Sequence, residues 1–163
     1  MILTVDALSA KGQVRDNNED MLSIAGRMLR DKALHVENED SRVYRWRDGM
    51  LEPLTEDQKD GNGYLLNCVG AGLAGTPVVR DISGDVAEDD VLVLCSDGIW
   101  GAVPDDEIEY YLAVSSRPAE DLCDRAEVNG GSDNVSVAVI RVGGGSFGDG
   151  DAPDDDGRWD WFA

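Results

Sequence analysis

The sequence is poor in histidine and cysteine, and each shortage disfavours a class of function. Its 163 residues include a single histidine, His35, which disfavours histidine-rich zinc sites and Ser-His-Asp relays. Its three cysteines are far apart in sequence and form neither a zinc-ligand spacing nor a disulfide framework. We therefore expect a reducing, cytoplasmic location. Any metal must be held mainly by carboxylates, which favours magnesium or manganese over zinc.

Long apolar runs and positive charge are also scarce. The sequence has no run of 18 apolar residues and no N-terminal signal region, so nothing in it predicts a membrane protein or a secreted one. Its 34 acidic residues outnumber 14 basic ones, which gives a net charge of −20. The negative electrostatic potential that this charge creates disfavours nucleic acid and anionic membranes as partners, because both are negatively charged. It favours binding of cations and of basic protein segments. A salt-rich cytoplasm is another possible origin of this charge.

The most informative stretch is a short apolar run that ends in Asp97-Gly98. Residues 91–96 are mostly β-branched or apolar, which predicts a buried strand. An Asp at the end of such a strand, followed by a Gly that permits a tight turn, can fix a carboxylate beside a hard cation. An Asp-Gly pair is also typical of a plain turn. This stretch alone leaves both interpretations open.

Further acids occupy similar positions at predicted strand ends. Glu19 and Asp20 precede a strand-like segment, and Asp133 precedes the predicted strand at 135–140. Converging carboxylates repel one another unless a cation lies between them, so a shared rim would be a metal site or strained. Arg15, four residues before Glu19, can set an anion-binding cation beside these carboxylates.

The remaining pattern predicts one β-rich domain followed by a tail. Other strands are predicted at 2–9, 42–47 and 50–54, with Asp48-Gly49 as a hairpin turn. Pro104 is predicted to open one helix and Ser116 to cap a second. The domain covers residues 1–142, and 143–163 form a flexible acidic tail that ends in several aromatic residues. Those aromatics either dock on the domain or bind a partner.

Four motifs, in this order, resemble the metal-dependent type 2C protein serine/threonine phosphatases, especially the bacterial ones. The resemblance covers residues 2–142. The motifs are Ser9-x-x-Gly12-x-x-Arg15-x-x-Asn18-Glu19-Asp20; Asp40-Ser41-Arg42-x-Tyr44 with Leu54-Thr55-Glu56-Asp57; Leu94-Cys95-Ser96-Asp97-Gly98-Ile99-Trp100; and Gly131-Ser132-Asp133-Asn134-Val135-Ser136-Val137.

The resemblance implies an α+β fold, an α-β-β-α sandwich with two magnesium or manganese ions in a cleft at one end. By position in the motifs, Glu19 would ligate the second ion, and Asp97 and Asp133 the first. Asp20 would support metal-bound waters, and Arg15 would bind the substrate phosphate. The implied catalytic residues are therefore Arg15 and Asp20.

The sequence departs from the family at one motif. An Asp-Gly-x-x-Gly, whose Asp bridges both metals in the family, is missing together with the two helices expected after it. Asp60-Gly61-Asn62-Gly63 has a similar spelling but lies elsewhere in the order. We therefore expect weaker metal binding and a sandwich with one helical layer missing. The sheet face left exposed would be covered by a second copy of the chain, a partner or the tail.

Three functional interpretations follow from this resemblance. The first is an enzyme, either intact in activity or impaired by the deletion, that dephosphorylates phosphoserine or phosphothreonine in proteins. The second is a catalytically dead module that regulates or binds a phosphorylated protein. The third is a gene remnant without a role of its own.

Overall fold

A computed structural model describes residues 3–17, 41–57, 82, 84–143 and 147 of the chain. Within these ranges a five-stranded antiparallel sheet carries helices on one face, and the strand order is β1-β5-β4-β2-β3. The predicted α+β class is confirmed, in a truncated form. The elements in chain order are β1 (Leu3–Ala10), β2 (Arg42–Arg47), β3 (Met50–Pro53), β4 (Val91–Cys95), α1 (Asp97–Trp100), α2 (Asp105–Val114), α3 (Pro118–Val128) and β5 (Val135–Val142).

The central strand β4 and its neighbour β5 are buried on both faces. Val91 and Val93 point to the face covered by α1, α2 and α3, because side chains alternate along a strand. Leu92 and Leu94 point to the opposite face, where they pack with Ile140. Two-sided burial explains why β4 has an almost continuous apolar sequence instead of an alternating one.

Three apolar residues of this second face are buried, although the missing helical layer predicted an exposed face. Leu92 is 7% exposed, Leu94 is 9% exposed and Ile140 is 1% exposed in the single chain. Leu3 and Val5 of β1 are partly buried against them. These side chains are therefore covered without a second copy. The prediction of a homodimer or covering partner is untested and stays a prediction.

An ion pair between a buried carboxylate and a partly exposed arginine lies directly before β4. Asp90 is 1% exposed, and its carboxylate accepts hydrogen bonds from the guanidinium of Arg47 and from the backbone N–H of Ala87. The Arg47 Nη2–Asp90 Oδ2 distance is 2.6 Å. Since a buried carboxylate without a partner is strongly destabilising, this pair fixes β2 against the residue directly before β4.

The β2–β3 hairpin follows the sequence prediction closely. Asp48 and Gly49 have φ angles of 53° and 80°, as a two-residue type I′ turn requires. The turn sets the register in which Arg47 pairs with Met50. A hydrogen bond of 2.7 Å from the N–H of Leu51 to Glu109 then ties this edge strand to α2.

The helices begin slightly later than predicted. Pro104 is the N-cap of α2, and α3 begins at Pro118 with Arg117 as its N-cap. The hydroxyl that supports the start of α3 belongs to Ser115 instead of Ser116. It accepts a hydrogen bond of 2.9 Å from the N–H of Arg117 and donates one of 2.5 Å to Asp121.

Packing of the domain extends beyond the predicted boundary at residue 142. Phe147 is 5% exposed and belongs to the main core, and the Arg141 guanidinium lies 5.3 Å from the centroid of its ring. The rest of the predicted tail, including Trp159, Trp161 and Phe162, lies outside the described residues. Its flexibility therefore stays a prediction.

Other predictions also concern residues that the structure does not describe. Glu19, Asp20, His35 and Asp60-Gly61-Asn62-Gly63 are outside the described ranges, as is the segment where the helical layer is missing from the sequence. Over the described parts of the chain, no helix is both long and apolar enough to cross a lipid bilayer.

Candidate active site

Three chain segments meet at one end of the sheet. In the sheet register, Ala10 at the end of β1 pairs with Val135 at the start of β5. Cys95 at the end of β4 pairs with Val137, also near the start of β5. The residues that follow β1, follow β4 and precede β5 therefore lie together. They contain three of the predicted site residues: Arg15, Asp97 and Asp133.

Arg15 and Asp133 are in direct contact. The Arg15 Nη2 atom donates a hydrogen bond of 2.8 Å to Asp133 Oδ2, and the two side chains are 48% and 31% exposed. The other oxygen of Asp133 accepts a 2.9 Å hydrogen bond from the N–H of Asn134. An ion pair this exposed contributes only about 0.2–1 kcal/mol to stability. Its greater effect is to bring a cation and a carboxylate together at the sheet end.

A close backbone contact holds the turn of Asp97 at the same end of the sheet. Asp97 is the first residue of α1, and Gly98 follows it. A Cβ atom on Gly98 would lie 2.0 Å from the carbonyl oxygen of Asn134, so no other residue fits here without a backbone shift. The turn that carries Asp97 therefore packs directly on the residue that follows Asp133.

A second glycine brings the Arg15 segment to the same point. Gly12 has a φ of +76°, and a Cβ atom there would lie 2.1 Å from the carbonyl oxygen of Asp133. The next residue, Gln13, donates its backbone N–H to the carbonyl of Gly131 at 3.0 Å. Glycine at position 12 thus permits both the left-handed turn and the close approach.

Asn134 joins the same segments through its side chain. It is 3% exposed, and its Nδ2 atom donates hydrogen bonds to the carbonyl of Lys11 at 2.7 Å and that of Asn17 at 2.8 Å. Asn134 belongs to the fourth sequence motif, but the sequence alone predicted no role for it. Its only signal was an amide side chain directly before a buried strand.

Serine hydroxyls connect the three strands beneath the site. The Ser96 hydroxyl accepts a 3.0 Å hydrogen bond from the N–H of Ser136, and the N–H of Ser96 donates to the carbonyl of Ser136 at 2.9 Å. The Ser136 and Ser9 hydroxyls are 2.7 Å apart and share a hydrogen bond. These bonds fix the strand ends from which the site residues project.

Arg42 braces α1 from β2, a contact that sequence analysis missed. Its guanidinium lies 3.7 Å from the centroid of the Trp100 ring, on the helix that begins with Asp97. It also donates two hydrogen bonds of 2.8 Å to Asp57 and one of 3.0 Å to the hydroxyl of Tyr44. The hydrogen bonds to Asp57 are the main cause of a raised pKa for Arg42, so it stays charged.

The carboxylates at this end of the sheet suit a hard divalent cation. Asp97 and Asp133 offer oxygen ligands, which magnesium and manganese prefer. Among the residues that the structure describes, no group of three or more His, Cys, Asp or Glu is placed to hold a metal ion. The predicted roles of Asp97 and Asp133 as metal ligands therefore stay untested. The predicted roles of Glu19 and Asp20 stay untested.

Comparison with known proteins gives a sequence relative and several structural neighbours. No family model matches the chain. A serine/threonine phosphatase, stp, of Listeria monocytogenes is 26% identical over 156 residues. That match covers 82% of this chain and 61% of the relative, so the chain spans about three fifths of the length of the curated relative it matches.

The solved structures support the fold. The Mycobacterium tuberculosis serine/threonine phosphatase PstP/Ppp has a TM-score of 0.69 and 19% identity, covering 88% of this chain and all of the other. The catalytic domain of the phosphatase PstP in complex with two manganese ions has a TM-score of 0.62 and 19% identity, covering 87% and 99%. At these identities the neighbours show the fold alone. The resemblance to the bacterial type 2C serine/threonine phosphatases is therefore confirmed, in sequence by the Listeria relative and in fold by the solved structures.

Proposed function

We propose that this chain hydrolyses phosphoserine or phosphothreonine in proteins with the help of a divalent metal. One observation carries the proposal: Arg15 lies 2.8 Å from Asp133 at the sheet end where the turn of Asp97 also packs. A phosphate monoester dianion needs a cation for its oxygens, and a hard metal needs carboxylate oxygens. Both kinds of group are therefore available within one short stretch of surface.

Asp97 and Asp133 would hold the metal, which we expect to be manganese or magnesium. When bound, such a cation supplies an activated water and neutralises charge on the phosphoryl oxygens. Water oxygen forms a bond to phosphorus while the bond from phosphorus to the serine or threonine oxygen breaks. The products are the free hydroxyl side chain and inorganic phosphate. The manganese complex of the structural neighbour PstP supports this choice of metal.

Arg15 would bind and orient the phosphate. A guanidinium has five N–H donors, and within the described ranges only the Nη2 atom of Arg15 is hydrogen-bonded. The other donors can reach a phosphoryl oxygen while Asp133 keeps the guanidinium in place. A charge-assisted contact that strengthens as charge develops on phosphorus also favours the transition state.

A second candidate function is a binding module without turnover. It is favoured by the missing Asp-Gly-x-x-Gly motif. Such a module would retain Arg15 as a phosphate-binding side chain and would recognise a phosphorylated partner. The phosphorylated protein partner and the cytoplasmic location stay predictions in both cases.

Hydrolysis of a phosphothreonine peptide tests the proposal. We expect turnover that requires millimolar manganese or magnesium, is abolished in Asp97→Ala and is unchanged in Asp124→Ala, a matched acid exposed on α3. Arg15→Ala should raise KM about tenfold or more, as expected for the loss of a charge-assisted hydrogen bond.

Fluorescence anisotropy with the same peptide separates the two functions. Turnover in the parent supports the enzyme. Peptide binding that depends on Arg15, with no turnover at any metal concentration, would instead establish the binding module. If the peptide is neither bound nor hydrolysed, both proposed functions are overturned.

A further inference from the structure

We propose that Asn134 is a positioning residue that holds the Arg15 segment in register with Asp133. The inference rests on the proposed function for its catalytic consequence, but its structural part can be tested separately. The carboxamide of Asn134 carries two N–H bonds. The Nδ2 group donates hydrogen bonds to two backbone carbonyls of one segment distant in sequence, those of Lys11 and Asn17.

The two carbonyls bracket the segment that carries Arg15. Lys11 and Asn17 are 123 and 117 positions away from Asn134 in sequence, and Arg15 lies between them. One buried side chain therefore pins a seven-residue segment, 11–17, near both of its ends. Asp and Ser cannot replace it, because neither side chain has two N–H or O–H donors at neutral pH.

The ion pair cannot hold this segment by itself. Arg15 and Asp133 are half-exposed and about one-third exposed, so water screens their attraction. Asn134 is 3% exposed, and its hydrogen bonds to the two carbonyls are part-buried, so they are less screened than the ion pair. Loss of the Asn134 hydrogen bonds should thus release Arg15, whereas loss of the ion pair should leave the segment in place.

The proposal has a distinct local signature. The backbone N–H of Gln13, within the pinned segment, donates to the carbonyl of Gly131. If Asn134 holds the segment, this N–H will exchange with solvent much faster when the carboxamide is removed. Amides in the β4–β5 ladder, such as Val93, will keep their protection, because their hydrogen bonds do not involve Asn134.

Amide hydrogen exchange measured by NMR on the full chain tests this. We expect Asn134→Ala to lower the protection of Gln13 at least tenfold with β4 and β5 unchanged. In Asn134→Ser, the one hydroxyl proton can reach at most one carbonyl. This variant should fold more readily than Asn134→Ala, and its Gln13 amide should lose less protection. Asn129→Ala is the matched control, because Asn129 Nδ2 donates a 2.8 Å hydrogen bond to the carbonyl of Ala102 away from the site. Unchanged protection of Gln13 in both Asn134 variants, or an equal loss across the whole sheet, would overturn the proposal.

A double-mutant cycle then tests the catalytic consequence. In the parent, Arg15→Ala should raise KM for the phosphothreonine peptide about tenfold. In the Asn134→Ser background the same change should raise KM less than threefold, since Arg15 is already displaced. Additive effects would refute the link between Asn134 and Arg15. Absence of turnover in the parent would count against the proposed function alone, because the exchange result does not depend on activity.

Discussion

The close approach of Gly12 to Asp133 gives a prediction whose size can be isolated with a matched glycine. Gly12 and Gly49 have almost the same φ angles, +76° and +80°. A Cβ atom on Gly49 would meet nothing within 4 Å, whereas one on Gly12 would lie 2.1 Å from the carbonyl oxygen of Asp133. Alanine at both positions therefore incurs the same backbone strain, and only Gly12→Ala adds a collision.

The magnitudes follow from these distances. A left-handed backbone costs an alanine about 1–2 kcal/mol, and the reduced freedom of the unfolded chain offsets about 0.4–1 kcal/mol of this at each position. These contributions cancel between the two variants. Gly12→Ala must also move backbone atoms by roughly 1 Å, and overpacking of this kind costs about 1–3 kcal/mol. We therefore expect Gly12→Ala to lower the free energy of unfolding by about 1–3 kcal/mol more than Gly49→Ala does.

Urea unfolding followed by circular dichroism measures the difference, with the midpoint and slope fitted for each variant. Gly84→Ala gives the baseline, because Gly84 has no positive φ and its Cβ would meet nothing within 4 Å. Equal losses for Gly12→Ala and Gly49→Ala, with the slope unchanged, would refute the claim that backbone contact with Asp133 fixes the Arg15 segment.

Three further predictions concern buried and braced side chains. Burial acts to raise the pKa of Asp90, but hydrogen bonds from its arginine partner and a backbone N–H hold that pKa below its usual value. Its ionised form thus stabilises the fold above about pH 4, and urea titrations should show Asp90→Asn less stable than the parent at pH 7 but converging with it as the pH falls through the lowered pKa. Burial raises the pKa of Cys95 and of Cys123 to about 12, so iodoacetamide at pH 8 should leave both unlabelled in peptide maps of the native protein and label both in urea. Arg42→Lys keeps the charge but loses the paired hydrogen bonds to Asp57 and the contact with the Trp100 ring. It should lower the free energy of unfolding measured in urea by about 1–2 kcal/mol. The control Arg117→Lys should leave that free energy unchanged, because the Arg117 side chain is 72% exposed.

Local sequence signals predicted the five described strands well, because the residue pattern of each strand favours that structure by itself. Residues 42–47 alternate cleanly and form β2 over those residues, and the Asp48-Gly49 turn has the positive φ angles that its residue types favour. The caps were less predictable. The sequence alone does not show whether Ser115 or Ser116 supports the start of α3, because either serine could do so. In the structure Ser115 does, because its hydroxyl contacts Asp121.

The site was predictable only in outline. Acids at strand ends indicated a common rim, and the register of β1, β4 and β5 brings Arg15, Asp97 and Asp133 to one end of the sheet. The role of Asn134 could not be predicted, since its hydrogen bonds span more than a hundred positions and depend on strand order. The contact between Arg42 and Trp100 has the same origin, because it joins β2 to a helix after β4.

The position of β5 in the sheet also has a consequence for synthesis of the protein. β5 lies between β1 and β4 in the sheet. Of the five described strands, β5 is synthesised last, whereas β1 is synthesised first and β4 fourth. Arg15 and Asp133 are 118 positions apart, and they cannot meet until residues 135–142 have left the ribosome. A nascent chain that stops before β5 exposes the edge of β4 and carries no candidate site. The candidate site is therefore assembled late, by contacts that close a long loop and are slow to form.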